Sequence, residues 1–249
     1  MKSMRMEPAT QCEIIQALID FETIERLIAL GVKGLAAELE DLHASMDADL
    51  ALVLSDAGLD ARSRENAEGD YLAHINDEYI ELSELLPRLH SYSLFLIAYS
   101  FFERTLNRVC DSLRKHGGAS LAVRDLAGNG ISRARDYLVK VMTIEDPFED
   151  RAWVSAKMYG EIRNTIAHAN GYVEYRPTDI ASLYSRLGAA GIELRQEIMN
   201  QPDAQILLTS ELVLRSVETY KSLLRSLGGL SDDFVTPKHG LPGIQLGYQ

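Results

Sequence analysis

Two cysteines in 249 residues, Cys12 and Cys110, are too few and too isolated for a disulfide framework or a CxxC redox or metal pair, and each reads as a small buried apolar side chain. Long apolar runs are missing too. The longest, such as Leu94–Ala98, fall far short of the roughly 20 residues a membrane-spanning helix needs, and residues 1–10 lack the apolar centre of a secretion signal. A soluble, cytoplasmic protein without a membrane partner is expected. His43, His74, His90, His116 and His239 show no HExxH or paired spacing, so no metal is expected. The GxSxG pattern of a nucleophile elbow does not occur. Asp125–Gly130 carries glycines but neither the lysine nor the preceding strand of a phosphate loop, and reads as a turn capping the next helix. No cofactor is expected.

What the chain does have is apolar content, 46%, enough for a real core, and an uneven charge. The net charge of -12 argues against a general nucleic-acid coat protein. Yet residues 88–140 hold nine basic against four acidic side chains, a local charge of +5. Arg104, Arg108, Arg114, Lys115, Arg124, Arg133, Arg135 and Lys140 offer a footprint for phosphates, because a polyanion responds to the nearby field. The plainer reading is a basic face that balances the acidic N-terminal region, within the fold or across a subunit contact.

Helical periodicity dominates, β signals are scarce and no internal repeat is visible. Ile14, Leu18, Phe21, Ile24, Ile28, Leu35, Leu39 and Leu42 recur at three- and four-residue steps, interrupted near Gly31 and Gly34, which gives two helices or one bent helix over 14–54. The polar stretch 56–70 reads as a linker. Helices follow over 71–86 and 89–113, separated by Pro87, with Gly117–Gly118 stopping the second. A short helix is expected over 132–143, another over 150–170, and a last strong one over 203–227. Residues 172–201 are mixed in character. Three units result: an acidic helical arm over 1–70, a helical bundle over 71–230, and a poorly ordered tail over 231–249.

The helix over 150–170 carries the sequence Arg163-Asn164-Thr165-Ile166-Ala167-His168, followed by Ala169-Asn170-Gly171. At 100° per residue, Met158, Tyr159, Ile162, Ile166 and Ala169 share one core-facing stripe. Asn164 and His168, four apart, stack on the opposite side with Trp153, Lys157, Gly160 and Glu161. The long Arg163 side chain can wrap toward that surface. His168 lies near the C-terminal carbonyls, where a cation is favoured and where Gly171 offers a left-handed cap. An imidazole and a fixed guanidinium are what RNA cleavage without metal requires: one group to move a proton near neutral pH, another to hold charge on the phosphorane. From spacing alone, structural roles for both side chains are the better reading, since an Arg and a His five apart on a helix occur often by chance.

Arg163–His168, with Asn after the Arg, resembles the R-x4-6-H motif of the HEPN superfamily. Ser100–Leu106 resembles the first core helix of that family and the helix over 203–227 its closing one, so the likeness spans about residues 75–228. The resemblance implies an all-α, HEPN-like helical bundle, here with an extra N-terminal helical hairpin, and a homodimer whose motifs meet in one cleft. It implies a metal-independent endoribonuclease of a toxin or phage-defence type, with RNA as substrate and an antitoxin or regulatory protein as partner. The same likeness makes Arg163 the contact to the scissile phosphate, His168 the proton-transfer group and Asn164 a phosphate ligand. Glu103 matches an acidic position that some members carry. A catalytically silent HEPN-like module, which dimerises or binds a nucleotide, RNA or protein, is the alternative. The acidic arm and the 172–201 segment depart from the small toxin members.

Overall fold

The protein is all-α in class. A computed structural model describes residues 7–55, 60–174, 193–195 and 203–231; the tail expected over 231–249 lies outside the described residues beyond Ser231.

Of the two readings, two helices or one, the structure has one long helix, α1 (Pro8–Ser55). Its glycines do not break it because one of them serves a contact. A Cβ at Gly31 would stand 2.1 Å from the His90 ring, so the missing side chain is what lets the first half of α1 lie against the helix that carries His90. Ile14, Leu18, Phe21 and Ile28 are at most 1% exposed and belong to the main core. The apolar part of the unit drawn over 1–70 is therefore inside the bundle. Only the second half of α1 leaves it, to pair with α2 (Ala61–Ile80), where Leu42 and Ile75 are buried and the His43 and Tyr79 rings lie 5.6 Å apart. Residues 61–70, expected as linker, form the first half of α2. Asp60 starts it by accepting the Ser63 amide, and that cap outweighs a polar composition.

Pro87 does not separate two helices either. Glu81–Leu85 form a π turn, the Leu86 amide reaching Glu81 O, and α3 (Leu86–Gly117) continues with Pro87 in its first turn. There the missing N–H of proline costs nothing. α3 is buried on several sides, through Phe95, Ala98, Phe102, Leu106 and Val109, and ends at Gly118 with φ +69°. α4 (Gly130–Lys140) and α5 (Arg151–Ala169) follow.

Beyond α5 three short strands, β1 (Tyr172–Glu174), β2 (Glu193–Arg195) and β3 (Asp203–Leu207), form an antiparallel sheet in the order β1-β3-β2. The helix expected from residue 203 therefore begins later, as α6 (Ser210–Gly228). Two backbone groups decide this: the Ile206 amide bonds Gly171 O at 2.9 Å, and Ile206 O accepts from the Tyr92 hydroxyl at 2.5 Å. Thr209 then caps α6 through its side chain to Leu212 N.

Tyr220 of α6, fully buried, joins the layers. It stacks on Phe102 at 4.5 Å and meets Tyr99, Tyr159 and Phe21 at 5.9–6.3 Å. These pairs tie α1, α3, α5 and α6 together, each worth about 0.5–1.5 kcal/mol beyond area burial. A second tie is ionic. Lys221, 7% exposed, places Nζ 2.9 Å from Glu25 of α1.

Candidate functional site

α5 is fixed at both ends. Asp150 accepts the Arg151 amide at its start, and Asn170 (φ 50°) and Gly171 (φ +81°) turn left-handed at its end, both amides reaching Thr165 O. Its buried face is Trp153, Ala156, Tyr159, Ile162 and Ile166. Trp153, expected on the polar side, is in the core, edge-on to Phe148 at 5.2 Å, and Ala169, expected in the core stripe, is exposed. Phe148, which precedes α5, covers Trp153 on a side of the helix that is open further along, and Ala169 lies in the last turn, at the exposed end.

A cavity of about 390 Å³ lies between α5, α3 and the start of α4. From α5 come Lys157, Gly160, Glu161, Arg163 and Asn164; from α3, Tyr99 and Glu103; from α4, Asn129 to Ser132. Three of the four residues singled out by sequence thus share one wall system.

Arg163 is half-buried. Its guanidinium stands over the Tyr99 ring, 5.8 Å from the centroid, and donates to Asn164 Oδ1 at 3.0 Å. Stacking on an aromatic face fixes the plane of the cation while leaving donors for a ligand. Gly160 makes this possible, since a Cβ there would lie 2.8 Å from the Tyr99 hydroxyl. Burial pushes the Tyr99 phenol up to about 12, Glu103 adding to the shift and Arg163 opposing it. Glu103 has no salt bridge among the described residues. The nearby Arg108 pairs with Glu13 at 2.6 Å.

His168 is not part of the cavity. It is exposed in the last turn of α5. Five residues of helix separate it from Arg163 by about 7.5 Å of rise and about 140° of rotation. Within one chain, the imidazole and the guanidinium therefore serve different surfaces.

The basic segment does not build this site. Arg135 and Lys140 pair with Asp136, Arg108 binds the acidic α1, and none of the eight cations named from sequence lines the cavity. Of the three that pair, only Arg108 reaches a carboxylate of the acidic N-terminal helix; the other two meet Asp136 of their own segment. Lys157, Gly160 and Glu161, expected on the face of Asn164, do line the cavity, whereas sequence reasoning missed Tyr99 and Asn129–Ser132 as its walls. The only signal for the last was Gly128-Asn129-Gly130, read as a turn; for Tyr99 it was the glycine one turn before Asn164.

Among the described residues no group of three or more His, Cys, Asp or Glu side chains is placed to hold a metal, and no helix is long and apolar enough to cross a membrane. No family model, curated protein or solved structure matches this chain.

Proposed function

We propose that this protein is a metal-independent endoribonuclease, active as a homodimer, in a toxin or phage-defence setting that rests on the HEPN resemblance. The observation that carries the reading is Arg163, held over Tyr99 and beside Asn164 and Glu103 at the wall of an open cavity. A guanidinium so fixed needs little reorganisation to meet the charge that grows on a phosphorane, an effect worth about 10²–10³ in rate for a single well-aimed donor.

In the reaction the RNA 2'-hydroxyl attacks phosphorus and loses its proton to a base. The bond to the 5'-oxygen breaks, that oxygen takes a proton from an acid, and the products are a 2',3'-cyclic phosphate and a 5'-hydroxyl. Arg163 and Asn164 hold the phosphate. Glu103 is the carboxylate within the cavity. His168 is the proton-transfer group, and because it stands off the cavity of its own chain, its role requires a second copy that presents it across a shared cleft. A proton-transfer group in such a place contributes about 10²–10⁴ in rate.

Arg163→Ala and His168→Ala are each expected to lower RNA cleavage in EDTA at least roughly 100-fold, with the dimer and its melting temperature unchanged. Equal loss of folding in both variants would refute the reading. Toxicity on expression in the cytoplasm, relieved by the same substitutions, tests the setting, and co-purification of an antitoxin or regulatory protein tests the partner.

The second reading is a catalytically silent module that binds RNA or a nucleotide at the Arg163 cavity. The separation of His168 from that cavity favours it. RNA binding by the unmodified protein without cleavage, abolished by Arg163→Ala but not by His168→Ala, would establish it.

A further inference from the structure

The first turn of α4 lines the Arg163 cavity, and no side chain caps it. Asn129 occupies the N-cap position in extended backbone, φ −146° and ψ 170°, yet its side chain makes no capping bond. The first helical bond runs from Arg133 N to Asn129 O at 3.2 Å, so the amides before it have no partner within the helix. Gly130, Ile131 and Ser132, which carry those amides, all line the cavity.

Tyr99 is an independent observation at the same place. It is 6% exposed and lines the cavity, and its hydroxyl finds no hydrogen-bond partner among the described residues. The side chain is buried but its hydroxyl oxygen is not sealed off, so it is free to donate to an acceptor in the cavity, whereas Arg163 Nε is buried there with no partner. Since burial keeps the phenol protonated up to about 12, it acts as a donor at neutral pH. Donors therefore converge from the α4 terminus, from Tyr99 and from Arg163.

Carboxylates interrupt them, since Glu103 and Glu161 both line the cavity, where Lys157 adds a further cation. Glu103 Oε1 lies 3.9 Å from where a Cβ on Gly130 would stand, so the carboxylate sits beside the uncapped amides. An anion bound there gains from the helix terminus and the guanidinium, but every added negative charge is repelled by Glu103.

We propose that this cavity is a phosphodiester subsite, in which the Tyr99 hydroxyl, the first amides of α4 and Arg163 hold a singly charged internal phosphate while Glu103 excludes doubly charged terminal phosphates. The assignment deepens the ribonuclease reading and rests on it in taking Arg163 as a phosphate ligand. It gives the site a preference for the interior of a strand over its phosphorylated ends.

The test is binding to the full chain by calorimetry at pH 8, with two probes that cannot be cleaved by 2'-hydroxyl attack. One is the deoxy dinucleotide thymidylyl-thymidine, with a single internal phosphodiester. The other is thymidine 3'-monophosphate, whose second ionisation, near pH 6, leaves it mostly a dianion. The dinucleotide is expected to bind roughly tenfold more tightly, and Glu103→Gln to reduce that preference to a few-fold. Asn129→Asp puts a carboxylate on the open amides, so it should weaken dinucleotide binding roughly tenfold while holding or raising the melting temperature, because aspartate caps a helix well. Tyr99→Phe should weaken it several-fold with no loss of stability.

Equal affinity for both probes, binding to neither, or a dinucleotide affinity indifferent to Asn129→Asp overturns the proposal. Failure of the nuclease reading is separate. A chain that binds the probes as described but cuts no RNA keeps the subsite and loses the activity, whereas one that cuts RNA with binding blind to Asn129 loses the subsite alone.

Discussion

Replacing Gly171 by alanine tests how the end of α5 is held, and the structure sets the size of the effect. The residue has φ +81°, where an L side chain costs about 1–2 kcal/mol. The new Cβ would also stand 2.1 Å from the Tyr92 hydroxyl and 2.7 Å from its Cζ. Tyr92 has nowhere to retreat. It is 4% exposed, and its hydroxyl donates to Ile206 O at 2.5 Å, so moving the ring sacrifices that bond, worth about 1 kcal/mol. Forced repacking adds about 1–3 kcal/mol. Gly171→Ala should therefore lose roughly 3–6 kcal/mol in urea unfolding followed by circular dichroism, or about 6–24 °C in melting temperature for a chain of this size. Tyr92→Phe alone should lose about 1 kcal/mol, and the double variant less than the sum, since both changes remove the same hydrogen bond. A loss below about 1 kcal/mol for Gly171→Ala would refute the reasoning, because it would mean that the ring and the backbone accommodate a methyl group at little cost.

Gly160→Ala should gain about 1 kcal/mol of helix propensity but push Tyr99 from beneath Arg163. RNA cleavage or binding is then expected to fall at least roughly tenfold with a melting temperature within a few degrees of the unmodified protein, and unchanged activity would contradict the close-packing argument. Lys221→Met should cost roughly 1–2 kcal/mol in urea unfolding, less than a fully buried pair, because Glu25 at 30% exposure can still reach water; a neutral result would show that the α1–α6 tie adds no stability. Burial raises the Cys110 thiol from 9.0 to about 12 and the Tyr99 phenol from 10.0 to about 12. Below pH 9 both are protonated whether the chain is folded or not, but above it the unfolded chain ionises first. Stability should fall as pH climbs from 9 toward 12, by up to about 1.4 kcal/mol per pH unit for each group. Urea midpoints at pH 8 and 10.5 check this, and Cys110→Ala should flatten the slope.

The legible part of the fold was whatever periodicity encodes. The apolar steps of α1, the multiply buried α3 and the span of α5 could be read directly, since a helix records its buried face at intervals of three and four. Breakers were read less well. Gly31 and Pro87 mark interruptions in a one-dimensional pattern, but Gly31 serves a contact with His90 and Pro87 falls in a first turn, and neither fact is local. Asp203–Leu207 has apolar residues that suit a helix, and became a strand because Gly171 and Tyr92 supply partners to its backbone from over 30 residues away. At the site, Arg163 and Asn164 were visible as neighbours in sequence, whereas Tyr99 and Asn129 were not, because nothing in their own segments reports which helix they will face.

By itself the chain's order of residues determined an all-α protein with a guanidinium, an amide and an imidazole on one helix, because side-chain chemistry and helical spacing are local properties. Tertiary packing alone decided that Glu103 and Arg163 share a cavity, that Arg108 of the basic segment meets Glu13 of α1, and that His168 is not part of that cavity. Those outcomes depend on how helices distant in sequence cross, and on the glycines that let Tyr99 and His90 approach a neighbouring backbone, which is information carried jointly by pairs of segments and by neither one alone.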